Sequence, residues 1–113
     1  MVLVDRISLS ELSEMSAKMF DPLVKAVVDI RKMVIVLDAG LHSDEELYLL
    51  NNGSSQEDLW GINLWPDKYG TEEFVEFDSM INIRPYQNNR GRGVQDANIR
   101  SMILEIVQKA VIR

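Results

Sequence analysis

Cysteine is absent from the 113-residue chain, which removes disulfide frameworks, thiolate nucleophiles, sulfur-built zinc sites and iron–sulfur clusters together. Histidine occurs once, at His42. No apolar run approaches the roughly 18 residues of a membrane helix. The start, Met1-Val2-Leu3-Val4-Asp5-Arg6, has neither a basic segment nor the long hydrophobic region of a signal peptide. A cytoplasmic location is the expectation. No internal repeat or low-complexity segment is visible, and no motif implies a cofactor or a metal.

The residues present have the balance of a globular protein, 46% hydrophobic and 27% charged. Area scaling for a chain of this size puts roughly two-thirds of the surface inside on folding, so a single domain over residues 1–113 is feasible without covalent staples. The net charge of −6 is unevenly spread. Residues 1–83 hold 16 acidic and six basic residues, whereas residues 84–113 hold six basic residues against Asp96 and Glu105. An isoelectric point near 4.7 opposes unspecific binding to nucleic acid or anionic lipid. A local anion site at the basic end is compatible with it, as is plain neutralisation of the acidic body within the fold or across a dimer.

Along the chain, Val2–Ile7 is a β-branched run that stops at Ser8 and Glu11, which have capping-box spacing. Leu9, Leu12, Met15 and Met19 predict an amphipathic helix ended by Asp21-Pro22. From Leu23 to Leu37 the pattern predicts two strands joined by a tight turn at Arg31-Lys32. Residues 46–50 read as a third short strand, with helix the competing reading because Asp44-Glu45-Glu46 suits a first turn. Asn51-Asn52-Gly53-Ser54 is a turn, Ser55–Asp58 can cap a single helical turn, and Leu59–Trp65 reads as a strand. Residues 74–84 read as a strand with Val75, Phe77, Ser79, Ile81 and Ile83 on one face and Glu76, Asp78, Met80, Asn82 and Arg84 on the other. Residues 86–95 form a polar loop, and Asp96 caps a helix whose apolar stripe includes Ile99, Ile103, Ile106, Val107 and Ala110. The sum is an α+β fold, a single mostly antiparallel sheet of about five or six strands packed with an N-terminal-half helix and a C-terminal helix.

Chemistry concentrates in three places. Glu76, Asp78, Asn82 and Arg84 share one strand face in this reading, and the polar series continues into Gln87, Asn88, Asn89, Arg90 and Arg92. A guanidinium there can fork onto a carboxylate or phosphate while an amide reads its other edge, and the plainer alternative is a solvated face with cross-strand ion pairs. Asn88, Asn89, Gly91 and Gly93 permit positive φ and hence a backbone anion nest, although the segment lacks the lysine and placement of a phosphate-binding P-loop. His42 with Asp44, Glu45 and Glu46 offers a general base or a divalent-metal shell without diagnostic spacing, and a solvated loop histidine is the plainer reading. Trp60 and Trp65 lie at odd spacing, which assigns one to the core and one to a partner surface.

The run Asn52–Gly61, containing Gly53-Ser54-Ser55-Gln56-Glu57-Asp58-Leu59-Trp60-Gly61, is followed by Ser79–Arg90 with Ile81-Asn82-Ile83-Arg84-Pro85-Tyr86-Gln87-Asn88-Asn89, and by Gln95–Arg100. Together these segments resemble a family of short prokaryotic proteins classed only as a domain of unknown function. The resemblance covers nearly the whole chain and implies a free-standing single domain; it implies nothing about activity and supplies no catalytic residue. Ala97 stands where members often have proline after the capping aspartate, and Gly91-Arg92-Gly93 extends the loop. Proline at the first helical position only preorganises the turn, so the first departure costs little.

Three functional classes follow. The leading one is a non-enzymatic binding or assembly module, a homodimer, that accepts an anionic group of a metabolite or of an acidic protein partner at Asn82, Arg84, Gln87, Asn89 and Arg90. The second is a small hydrolase or transferase using His42 as base, Asp44, Glu76 or Asp78 as orienter or metal ligand, and Arg84 to stabilise developing negative charge. The third is nucleic-acid binding through Arg84, Arg90, Arg92 and Arg100, which predicts affinity that falls steeply with salt.

Overall fold

The computed structural model describes residues 1–113. Both terminal helices begin as their caps dictate. Ser8 Oγ accepts from the Glu11 N–H at 3.1 Å while Glu11 Oε1 accepts from the Ser8 N–H, which starts α1 (Leu9–Ser16). Asp96 Oδ1 accepts from the N–H groups of Asn98 and Ile99 and starts α3 (Ala97–Ala110), whose Ile103, Ile106, Val107 and Ala110 are buried.

The strands are β1 (Val2–Val4), β2 (Ile7–Ser8), β3 (Val24–Asp29), β4 (Val34–Leu37), β5 (Leu59–Leu64), β6 (Val75–Glu76) and β7 (Val111–Ile112). Five of them form an antiparallel sheet in the order β1-β4-β3-β5-β6, and β2 pairs in parallel with β7 beside it. The α+β fold with a mostly antiparallel sheet is therefore the one observed.

Pleating divides the sheet cleanly. Ala26 lies opposite Leu37 and Ile62, and Val28 opposite Ile35 and Trp60; these side chains join Leu12 of α1 and the stripe of α3 in a cluster of 18 buried apolar residues. The alternate residues Val27, Val36 and Leu59 face the other way, where they meet Leu49 and the half-buried Ile81.

Two expectations are corrected. Residues 46–50 are not a strand: they belong to α2 (His42–Asn51), which turns His42, Glu45 and Leu49 inward against the second face. The acidic first turn, Asp44 and Glu45, favours a helix start, and this outweighs the short apolar run. Residues 74–84 are not one strand either. Only Val75–Glu76 pairs, and 3-10 turns occupy Met80–Asn82 and Pro85–Gln87. Ser79 Oγ accepts from the Ile81 N–H and holds the first of these turns. The turn shifts the alternation by one residue. Val75 and Ser79 are buried before it, Asn82 and Arg84 after it, and Ile83 is left exposed.

Candidate functional site

Gly61 is where the polar segment meets the sheet. A Cβ at this position would stand 2.6 Å from Ser79 Cβ and Oγ, so only glycine lets the Ser79 turn lie against β5. That approach brings Asn82 alongside the strand. Its Oδ1 accepts from the Gly61 N–H at 2.8 Å and its Nδ2 donates to the Gly61 carbonyl at 2.9 Å and to the Arg92 carbonyl at 2.9 Å. The carboxamide thus takes the place of a backbone peptide and closes the part of the β5 edge that β6 leaves unpaired.

Arg84 and Asn89 then form an antiparallel bridge, with the Arg84 N–H donating to the Asn89 carbonyl at 2.7 Å. The Pro85–Gln87 turn and Asn88, at φ 60°, connect them. The Asn89 amide organises the return: Nδ2 donates to the carbonyls of Asn82, Gly91 and Gly93, and Oδ1 accepts from the Gln95 N–H. Asn88 is the one loop residue here with positive φ, so the anion nest that Asn88, Asn89, Gly91 and Gly93 would permit is not formed. The loop turns carbonyls inward to Asn89.

This hairpin docks on the 3-10 turn Gln56–Asp58. Arg84 Nη1 donates to the Gln56 carbonyl, Tyr86 Oη to Gln56 Oε1 at 2.9 Å, and Gln87 Nε2 to the Glu57 carbonyl at 3.1 Å. Two of the three segments that carry the family resemblance, Asn52–Gly61 and Ser79–Arg90, are therefore partners in space.

The guanidinium of Arg84 lies 4.1 Å from the centre of the Trp60 ring, and both side chains are buried, at 2% and 1% exposure. Three of their donors, Arg84 Nε, Arg84 Nη2 and Trp60 Nε1, have no acceptor, while Gln87 Oε1 and Glu46 Oε2 are buried acceptors without a donor. Burial pulls the Arg84 pKa below the usual guanidinium range, and the nearby Tyr86, Glu46 and Asp58 oppose that shift.

The residues singled out in the sequence thus separate by role. Asn82 and Asn89 are taken up by the backbone, Arg84 and Gln87 keep free hydrogen-bonding capacity, and Arg90 is exposed. Arg92 pairs with Asp78 at 2.6 Å and Arg100 donates to the carbonyls of Val94 and Gln95. Of the four arginines proposed for nucleic acid, only Arg90 is both exposed and unengaged.

His42 is not a solvated loop residue. It is 8% exposed at the start of α2, with Nε2 2.8 Å from the Ile62 carbonyl. Because a carbonyl only accepts, Nε2 carries the proton. Burial lowers the His42 pKa, against the bond to Ile62. Asp44 is exposed while Glu45 turns inward and accepts from the Ala39 N–H, so the helix disperses the cluster that offered a metal shell. No three His, Asp or Glu side chains gather into a group able to hold a metal ion. Asn63, beside Ile62, donates to Glu76 Oε1 at 2.8 Å, and Trp65 Nε1 donates to the same oxygen. Trp60 is the core tryptophan and Trp65 the half-buried one.

In the sequence Gly61 and Ser79 have only places on strands and Glu45 only a place beside His42, without the roles they have here. Gly61 was legible as a strand glycine, a common mark of close backbone approach.

The family model for DUF5674, a protein of unknown function, matches residues 1–110. The chain belongs to this family. No curated protein and no solved structure matches it. In this DUF5674 chain no helix is long and apolar enough to cross a membrane.

Proposed function

We propose that this DUF5674 protein is a non-enzymatic binding module that receives an anionic group at the Arg84 hairpin. One observation carries the reading: Arg84 Nε, Arg84 Nη2 and Trp60 Nε1 are buried donors on two stacked side chains and have no acceptor. An unpartnered buried donor costs about 1–3 kcal/mol, more when charged, and a phosphate or carboxylate oxygen supplies what is missing. Arg84 carries the charge and Gln87 lines the approach. Arg90, exposed on the same hairpin, draws the anion in. Asn82 and Asn89 hold the receiving geometry. Arg84 is only 2% exposed, while Tyr86 on the same hairpin is 68% exposed and tied to the Gln56 side chain by its hydroxyl. The acidic body keeps polyanions off, so the ligand is a small anionic metabolite or a single acidic side chain of a partner protein, met in the cytoplasm.

The assembly part of the reading rests on β1. It pairs only with β4, it is an edge strand, and Met1, Val2 and Leu3 are 55%, 39% and 47% exposed without a lysine, proline or bulge to guard the edge. A second copy pairing there makes a homodimer.

Titration calorimetry with inorganic phosphate, pyrophosphate and citrate tests the site. Heat of binding is expected, lost in Arg84→Gln and weakened about two- to fivefold in Arg90→Ala, whose side chain is solvated. Absence of heat up to about 10 mM of every anion, a range that covers even millimolar affinity, overturns the proposal. Sedimentation of the same samples tests assembly: a dimer that Leu3→Lys converts to monomer supports it, and a wild-type monomer removes it.

A further inference from the structure

We propose that the hollow between α3 and residues 69–77 is a second binding site, for a small amphipathic amine. The hollow has a volume of about 540 Å³, within the few hundred to about 1,000 Å³ typical of small-molecule sites. It lies among Tyr69, Phe74, Phe77, Leu104 and Val107, away from the Arg84 hairpin. Its floor is firm. Phe74 and Val107 are 7% and 2% exposed, and the Tyr69 and Phe74 rings meet edge to face with centres 5.1 Å apart. Leu104 is different. It is 44% exposed on the outer part of α3, off the buried stripe, and it faces this hollow.

Charge complementarity selects the occupant. Glu72 is the one charged residue of the lining, it is exposed, and it has no ion-pair partner, whereas the adjacent Glu73 is paired with Lys68 at 2.9 Å. A carboxylate at the rim of an aromatic and aliphatic hollow suits a ligand with an apolar body and one ammonium group, because the ammonium meets Glu72 and the ring faces together. The chain already uses this chemistry: the Arg113 guanidinium lies 5.3 Å from the centre of the Tyr69 ring. A ligand ending in a carboxylate meets repulsion from Glu72 and from the net charge of −6.

Three matched probes decide it: phenethylamine, 2-phenylethanol and 3-phenylpropionate, each titrated into the protein labelled for amide NMR. Phenethylamine is expected to shift the amides of residues 69–77 and 104–108, and to bind about three- to fivefold more tightly than the alcohol, the worth of one exposed ion pair. The carboxylate is expected to bind weakest. Glu72→Gln should bring amine and alcohol to equal affinity, and Leu104→Trp, which fills the hollow, should abolish both; both positions are exposed, so both variants fold. The proposal is overturned by shifts confined to other residues, by no shift up to about 10 mM amine, by equal binding of the three probes, or by a preference for the amine that survives Glu72→Gln.

Discussion

On the side of α1 and α3 the sheet buries 18 apolar side chains in one cluster, whereas on the side of α2 only Val27, Val36, Leu49 and Leu59 form a second one. The rest of that second face is polar and dry: Asp29, Glu45, Asn63, Ser79 and Asn82 are at most 5% exposed. The first face is held by area, and shape is its only demand. The second is held by matching of individual groups. Asp29 accepts from the Arg31 and Lys32 N–H groups and from Ser54 Oγ, and Asn82 satisfies both backbone groups of Gly61. Glu45 Oε1 and Asn63 Oδ1 also lack a donor on this face, and matching stops for charged donors at Arg84, where, with Gln87 and with Trp60 of the apolar face, the proposed anion site begins.

The strongest test of this contrast removes one matched group from the α2 side and a methyl from the other. Asn82→Ala leaves the Gly61 N–H and the Gly61 carbonyl without partners, while the Arg92 carbonyl keeps the Ser79 N–H, and is expected to cost about 2–5 kcal/mol in urea unfolding. Ile103→Val, at a fully buried position of the apolar cluster, is expected to cost about 1 kcal/mol. Equal losses would mean that the Asn82 carboxamide is no more than filler.

The same contrast explains how much of the protein was legible in its sequence. Elements of the apolar face announce themselves: the capping box at Ser8, the Asp96 cap with the α3 stripe, and the two β-branched runs around Arg31-Lys32 all lie where periodicity puts them. The first run splits, since Val2–Val4 joins the main sheet while Ile7–Ser8 pairs with β7, a long-range partner that no local pattern encodes. On the α2 side, alternation misleads. Residues 75–84 alternate as a strand should, yet the Ser79 side chain bonds locally and inserts a turn, which turns Asn82 and Arg84 inward and Ile83 out. Their chemical types marked Asn82, Arg84, Gln87, Asn89 and Arg90 as important. Which of them serve the backbone and which keep free donors depends on Gly61 and Gln56, more than 20 residues away in sequence.

A second test uses pH, because α2 carries two of the three side chains with displaced pKa values, Glu45 and His42. Burial raises the Glu45 carboxyl to about 9, only partly offset by the Ala39 N–H, so the folded protein keeps a proton that the unfolded chain releases above about 4.5. Stability therefore falls as pH rises between those values, by up to about 1.4 kcal/mol per unit. Burial lowers the His42 pKa, so below about 6.5 the unfolded chain binds the extra proton and stability falls as pH drops. The two slopes oppose each other just below about pH 6.5, and above it the decline due to Glu45 is unopposed. Glu45→Gln is expected to stabilise the protein by about 2 kcal/mol at pH 7 and to abolish the alkaline decline. Thermal melts from pH 4 to 9 read both effects, and a wild-type profile that rises between pH 7 and 9 contradicts a protonated Glu45.

The smallest effect gives the sharpest comparison, since it uses adjacent residues of one strand. Val27 and Val28 are both fully buried in β3, and pleating points Val27 at the four-residue cluster and Val28 at the cluster of 18. The side chains are identical, the backbone pairing is the same antiparallel ladder, and the area lost in Val→Ala is equal. Any difference therefore reports how each face closes around a gap. Around Val28 the neighbours Ile35 and Trp60 belong to a crowded core with helices packed above it, which relaxes little. Around Val27 the facing residue on β5 is Gly61, covered by the Ser79 turn, whose side chains can settle toward the vacated methyls. Val28→Ala is expected to cost about 1 kcal/mol more than Val27→Ala, within the spread that cavity relaxation produces at fixed chemistry. A reversed order would show that the polar face is the more rigid one, with the Asn82 and Asn89 hydrogen bonds fixing the Ser79 turn so firmly that it cannot follow a lost methyl.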